Sequence, residues 1–210
     1  MAHEARAGGR QVAETEAPAL GLRQRKKART RAEINRQALR LFREQGYEAT
    51  TVSQIAEAAD VSESTLFRYF ATKEDIVLQD EFDEPLMAAL AAQLTHLDPV
   101  RAMRAAVRGV FGDLPLEARA ELRERAELIL RVPQLREAFA GALIAAIEQT
   151  AGLLAQRMGR GSSDLAVRTL AGAIVGGMMG AWVAAIEDPS ADFVELLDAA
   201  LGHLEGTLST

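Results

Sequence analysis

Between Lys27 and Gln45 the apolar residues Ile34, Ala38, Leu41 and Phe42 recur at helical spacing, with Arg and Glu between them, and Gly46 follows as a stop. This predicts a first amphipathic helix. After Thr51, a side chain suited to an N-cap, Val52, Ile55, Ala56 and Ala59 repeat at i, i+3, i+4 and i+7 and predict a helix of only two turns. Asp60-Val61 makes the break. Ser62 caps the next short run, Glu63 to Tyr69, in which Leu66, Phe67 and then Phe70 are apolar. Thr72 with Lys73-Glu74-Asp75 opens a fourth helix, its acids in the first turn where the helix dipole favours them.

Proline is absent from Ala19 to Glu84 and then recurs at Pro85, Pro99, Pro115, Pro133 and Pro189. Proline is tolerated in a first helical turn but not in an interior, so these positions mark starts or kinks. Further helices are predicted at about 98–112, 115–131, 133–158, 163–187 and 190–208, giving an all-α chain of about nine helices. No strand-type alternation appears in this distal half. The expected organisation is a flexible leader (1–22), a three-helix head (23–72) and a larger helical domain (73–210). From Thr169 to Ile186 there are 18 residues without a charge, at the lower edge of a membrane span. Four glycines and five alanines in that stretch, Arg168 and Glu187 at its ends, and no flanking basic cluster fit a helix packed in protein better.

The charge of -6 over 210 residues argues at first against nucleic acid as a partner. It is unevenly spread. Residues 20–73 carry 11 basic and 6 acidic side chains, whereas residues 81–210 carry 11 basic and 18 acidic. The first segment is therefore a local phosphate-seeking surface and the second an acidic body. With no cysteine there are no thiolate nucleophiles, disulfides or zinc fingers. The three histidines, His3, His96 and His203, are scattered, and no P-loop, G-x-S-x-G or H-E-x-x-H pattern occurs, so neither an enzyme nor a metal site is expected.

A two-turn helix, a tight turn and a second short helix make a helix-turn-helix, in which the second helix enters the DNA major groove. Ser62, Glu63, Ser64, Thr65, Phe67, Arg68 and Tyr69 are then the candidate readers, offering hydroxyls, a guanidinium and aromatic faces. Thr51 and Lys73 stand at flanking helix N-termini, where phosphates are gripped. The basic run from Arg23 to Arg31, including Arg25, Lys26, Lys27 and Arg29, is placed to reach phosphates or an adjacent minor groove. Taken singly, Thr51 and Ser62 would cap any helix, and Phe67 and Phe70 would serve as core; five of the ten aromatics lie between Phe42 and Phe70, and together the residues are more specific.

Thr50-Thr51-Val52-Ser53-Gln54-Ile55-Ala56-Glu57-Ala58-Ala59-Asp60-Val61-Ser62-Glu63-Ser64-Thr65-Leu66-Phe67-Arg68-Tyr69-Phe70-Ala71-Thr72-Lys73-Glu74-Asp75-Ile76 resembles the DNA-binding signature of the tetracycline-repressor-like (TetR) regulators. The likeness covers residues 25–80. It implies a dimeric transcription factor, usually a repressor, whose fourth helix joins the head to a ligand-binding and dimerisation domain. In such regulators the positions of Phe67 and Tyr69 are commonly tyrosine and histidine, so Tyr69 is the candidate to supply the hydroxyl that Phe67 lacks. Leu66-Phe67-Arg68-Tyr69-Phe70, Lys73 to Leu78 and Asp83 to Leu86 are also similar to members that include the mycofactocin-system regulators, a likeness that implies a long-chain acyl-CoA effector.

In the distal half Gly172, Gly176 and Gly180 recur every four residues, although a helix interior disfavours glycine by about 1 kcal/mol relative to alanine. Two explanations stand: tight packing inside one subunit, or packing across a two-fold axis against the helix at 190–208, with Leu197 and Leu201 at the interface. Met103, Phe111, Phe139, Leu143, Ile147, Met178, Met179 and Trp182 are candidates to line an apolar effector site, or are ordinary core. Arg101, Arg104 and Arg108 share a helix face and are candidate contacts for effector phosphates, against the plainer reading of a solvated face. Glu121-Arg125 and Glu127-Arg131 read as i, i+4 bridges of an exposed helix.

The expected function is that of a cytoplasmic, nucleoid-associated, homodimeric repressor. It binds a double-stranded palindromic operator, needs no cofactor and no membrane, and is released by a small apolar effector. A helical small-molecule-binding or interaction module that does not bind DNA is the rival reading.

Overall fold

The computed structural model describes residues 22–79, 81–188 and 190–208. Among these residues there are ten α-helices and no strand: α1 (Leu22–Gln45), α2 (Val52–Ala58), α3 (Glu63–Tyr69), α4 (Lys73–Leu78), α5 (Asp83–Gln93), α6 (Pro99–Phe111), α7 (Leu116–Arg131), α8 (Pro133–Met158), α9 (Leu165–Glu187) and α10 (Phe193–Leu208). The expected leader, except Leu22, and Pro189 lie outside the described residues.

Two elements differ from expectation. Helix α1 begins five residues early, because Leu22 to Thr30 contains no glycine or proline and consists largely of strong helix formers. The basic run therefore forms the opening turns of α1. The expected fourth helix is two helices, which makes ten. At Gln79 the backbone turns extended (φ -105°, ψ 115°). Its carbonyl accepts from Asn35 Nδ2 at 3.0 Å and Arg125 Nη1 at 3.3 Å, so it is taken up by tertiary partners where a continuing helix would need it. Asp83, Glu84 and Pro85 then form the first turn of α5, where proline's missing N–H costs nothing.

Elsewhere the local chemistry acts as expected. Asp98 caps α6 by accepting from Arg101 N at 3.2 Å, with Pro99 at the first helical position. Pro133 opens α8, and Gly159 ends it in the left-handed region (φ 63°). Asp164 caps α9 by accepting from Ala166 N at 2.8 Å.

The helices bury two apolar clusters. The distal one joins α5, α6, α8, α9 and α10 around Leu90, Met103, Leu154, Val167, Ile174 and Leu201. The other joins Ile34, Ile55, Leu66 and Phe70 of the head to Ile76 of α4, Ile129 of α7 and Leu135 of α8. Helix α4 thus packs on α1 on one side and on α7 and α8 on the other. By length and composition alone α8 and α9 are long and apolar enough to cross a membrane. Both are fixed in the distal core, Leu154 on α8 and Val167, Ala171 and Ile174 on α9 being fully buried.

Candidate DNA-binding head and ligand cavity

The head presents one face of α3. Leu66 and Phe70 point into the core, while Ser62, Glu63, Ser64, Phe67 and Arg68 are exposed and Thr65 and Tyr69 half-buried. Phe67 keeps 48% of its surface open, so it is not the core residue its apolarity allowed. The turn before α3 is made by Asp60, at φ 53°, a conformation aspartate tolerates better than most side chains. Ser62 Oγ accepts from Thr65 N at 3.1 Å and donates to Thr65 Oγ1 at 2.9 Å, holding the start of α3. Thr51 and Gln54 form a reciprocal capping box on α2, with Thr51 N donating to Gln54 Oε1 at 2.9 Å and Gln54 N to Thr51 Oγ1 at 3.2 Å. The Arg68 guanidinium lies 5.7 Å from the Tyr69 ring. Arg25, Lys26, Lys27 and Arg29 are all exposed along the start of α1.

Lys73 is placed differently from a free phosphate donor. Its ammonium donates to the Tyr47 carbonyl and lies 4.0 Å from the Tyr47 ring centroid. Burial lowers its pKa. Tyr47 OH in turn donates to Glu74 Oε1 at 2.8 Å, and burial together with that carboxylate pushes the phenol well up. Lys73 thus ties the loop after α1 to the start of α4.

The distal helices, together with residues of α1 and α4, line an open-sided cavity of about 1610 Å³. Of the predicted lining, Met103, Phe111, Phe139, Leu143, Met178, Met179 and Trp182 do line it. Ile147 does not; it packs against the distal core. Arg104 and Arg108 do not reach it either. Arg104 Nε and Nη2 each donate to Asp198 at 2.9 Å, its Nη1 donates to Glu205 at 2.6 Å, and Arg108 Nη2 donates to Asp198 Oδ2 at 2.8 Å. Arg101 Nε also donates to Glu205, at 2.6 Å. This face is an ion-paired seam between α6 and α10 on which Arg101 and Arg108 remain exposed to solvent, as the plainer reading expected, while Arg104 is half-buried. Hydrogen bonds from Arg104, working against the cost of burial, and from Arg108 hold Asp198 at a pKa of about 2.

Leu197 and Leu201 are corrected in the same way. They are 1% and 0% exposed within one chain, because α10 turns this face onto α6 and α9, so they form core and not an open interface. Gly172, Gly176 and Gly180 behave oppositely. A Cβ built on any of them meets no described residue within 4 Å, so tight packing among the described residues of one subunit does not explain them.

One cluster escaped the sequence reading. Arg125, expected as half of an exposed bridge, is only 8% exposed and donates to the Val77 and Gln79 carbonyls at 3.2 and 3.3 Å. Arg31 Nη2 donates to Gln79 Oε1 at 2.9 Å. Head, α4 and α7 therefore meet at Gln79, and Arg31, Gln79 and Arg125 all line the cavity. The available signal was Asn35, a polar residue beside Ile34 on the buried face of α1. The Glu127–Arg131 pair does form, at 3.2 Å. Among the described residues, no group of three or more His, Asp or Glu is placed to hold a metal.

This head on a helical, cavity-bearing body defines a helix-turn-helix transcriptional regulator. Residues 34–79 match the family described as bacterial regulatory proteins, tetR family, and residues 97–209 match the MftR C-terminal domain. The chain belongs to the tetR family of transcriptional regulators, whose members here are regulators and not enzymes. It is 30% identical over 180 residues to the mycofactocin biosynthesis transcriptional regulator MftR of Mycobacterium tuberculosis, covering 84% of this chain and 89% of that one. The HTH-type transcriptional regulator TcmR of Streptomyces glaucescens is 47% identical over 109 residues, 48% of each chain, so the match spans about half the length of that relative. Among solved structures, SmeT, repressor of the Stenotrophomonas maltophilia multidrug efflux pump SmeDEF, shares the fold, with a TM-score of 0.53 at 22% identity over 81% of this chain and 86% of that one.

Proposed function

We propose that the chain is a ligand-responsive repressor, acting in the cytoplasm on the nucleoid, that binds a palindromic operator as a homodimer and leaves it when an apolar effector fills the distal cavity. The observation that carries this reading is α3: one face packs the head, and the other offers Ser64, Phe67 and Arg68 to solvent. Arg68 is proposed to reach a base edge or phosphate, and Ser62, Glu63, Thr65 and Tyr69 to line the same groove. Thr51, Arg25, Lys26, Lys27 and Arg29 face phosphates, and Lys73 joins them only if it leaves Tyr47.

The dimer is proposed to form through α9, where Gly172, Gly176 and Gly180 leave room for a second backbone and Val183 is exposed. Two heads would then meet successive major grooves roughly 34–36 Å apart. The effector is proposed to occupy the cavity. The likeness to mycofactocin-system regulators implies a long-chain acyl-CoA as one effector class, and the apolar lining, with Met103, Met178 and Met179, supports an apolar occupant.

Fluorescence anisotropy with duplex DNA from upstream of the gene tests the reading. Specific binding is expected to weaken steeply with salt, and Arg68→Ala to reduce discrimination between operator and random duplex by roughly ten- to a hundredfold. A helical binding module without DNA activity would give no specific complex even at low salt.

A further inference from the structure

The aromatic residues divide sharply. Five of the ten lie in the head, and the other five, Phe82, Phe111, Phe139, Trp182 and Phe193, all line the cavity. A core of Leu, Ala and Val does not require every distal ring to border one void. Phe139 and Trp182 are stacked, their planes 4° apart and centroids separated by 5.8 Å. Phe111 contacts Phe82 at 5.4 Å in a tilted arrangement and Phe193 at 6.2 Å edge-on. Such walls favour a flat ring, by stacking and edge contacts, over a flexible chain.

Two further features narrow the occupant. Thr150, on α8, lines the cavity and is 0% exposed, and its Oγ1 has no hydrogen-bond partner among the described residues. A helical threonine ordinarily returns its hydroxyl to a carbonyl one turn back, so a buried, unpartnered hydroxyl bordering the cavity is a place for a ligand oxygen. The charged lining is also unbalanced, with five carboxylates against two guanidiniums. Glu74 and Asp75 are engaged by Tyr47 and by the start of α4. Glu84 and Glu137 stand exposed at the mouth, with no ion pair to another described residue. The two cations, Arg31 and Arg125, are turned to the end of α4. The arginines that would suit phosphates lie on the α6–α10 seam, neutralised by Asp198 and Glu205.

We infer that the effector is a flat aromatic molecule without negative charge, carrying an oxygen that hydrogen-bonds Thr150, and that the acidic mouth rejects polyanions such as an acyl-CoA. The inference rests on the cavity being the effector site, and it separates the two sources of apolar bulk, ring and acyl chain, by charge and by shape.

Trp182 is the only tryptophan and stands in the cavity wall, so quenching of its fluorescence reads occupancy without DNA. Matched probes are 9-anthracenemethanol, 9-(aminomethyl)anthracene, anthracene-9-carboxylate and 9-methylanthracene, with palmitoyl-CoA beside them. The alcohol and the amine are expected to bind at least about tenfold more tightly than the carboxylate and palmitoyl-CoA, a difference of about 1.4 kcal/mol. Glu84→Gln with Glu137→Gln, both at exposed positions, is expected to narrow the amine-to-carboxylate gap several-fold. Thr150→Val is expected to weaken the alcohol about fivefold and leave 9-methylanthracene unchanged, the size of one lost hydrogen bond. Thr150→Ser should restore the alcohol. No quenching by any ring, a carboxylate or palmitoyl-CoA that binds as tightly as the alcohol, or equal loss of alcohol and methylanthracene in Thr150→Val would overturn the inference. Probes that bind as expected but do not displace DNA would count against the repressor mechanism and leave the ligand class standing.

Discussion

Arg31, on the helix that opens the head, donates through Nη2 to Gln79 Oε1 at 2.9 Å, and Gln79 itself borders the cavity. The Gln79 carbonyl accepts from Asn35 of the head and from Arg125 of α7, so the end of α4 is held from both sides at one residue. A ligand that displaces Gln79 or Arg125 therefore changes what the head is anchored to. Coupling of this kind is typically 1–3 kcal/mol, enough to shift DNA affinity several-fold or more.

Gln79→Ala removes the Arg31 contact but leaves the backbone carbonyl. Effector-probe affinity, read by Trp182 quenching, should change less than about threefold, while the ratio of DNA affinities with and without probe falls toward one. An unchanged ratio would show that coupling runs elsewhere.

The α6–α10 seam makes stability depend on acid. Asp198 has a pKa of about 2 against an ordinary 3.8, and hydrogen bonds from Arg101 and Arg104 lower that of Glu205. Depressed carboxylates stabilise the fold above their ordinary values, and that stabilisation is lost as pH falls through the folded value. The melting temperature should therefore fall between pH 4 and 2. Asp198→Asn should melt lower at neutral pH and show a shallower acid decline, measurable by circular dichroism.

Because a Cβ at Gly176 or Gly180 meets no described residue within 4 Å, alanine there should stabilise an isolated protomer by up to about 1 kcal/mol per site through helix propensity. If these glycines seat a second backbone, Gly176→Leu should shift sedimentation from dimer to monomer without unfolding the chain. A dimer that survives Gly176→Leu would move the interface off this stripe.

The capping box at Thr51 holds the start of α2, which packs against α3. Thr51→Ala is expected to cost about 1 kcal/mol of stability and to weaken DNA binding, whereas Thr51→Ser should restore both. Chemical denaturation beside DNA titration checks the two effects separately.

Much of the head was legible because its signals are local. Thr51, Ser62 and Thr72 all cap the helices they were expected to cap, and Val52 to Ala59 falls at the spacing of a buried stripe. The errors came where a long-range partner decides. The break at Gln79 depends on Asn35 and Arg125, 44 and 46 residues away, and Arg125 looked like one member of an i, i+4 pair until α4 covered it. Arg104 and Arg108 were visible as a stripe, but their carboxylate partners stand more than 80 residues further along. Leu197 and Leu201 were correctly apolar and placed on the wrong side, because periodicity marks a buried face without saying whether the same chain or another buries it.

Native mass spectrometry of the protein with its upstream duplex joins these elements in one measurement. The account predicts a complex of two chains, or a multiple of two, on one duplex that loses DNA as 9-anthracenemethanol adds to the protein and keeps DNA in Gln79→Ala at the same occupancy. One chain per duplex, or a ligand-loaded wild-type complex that keeps its DNA, would contradict it.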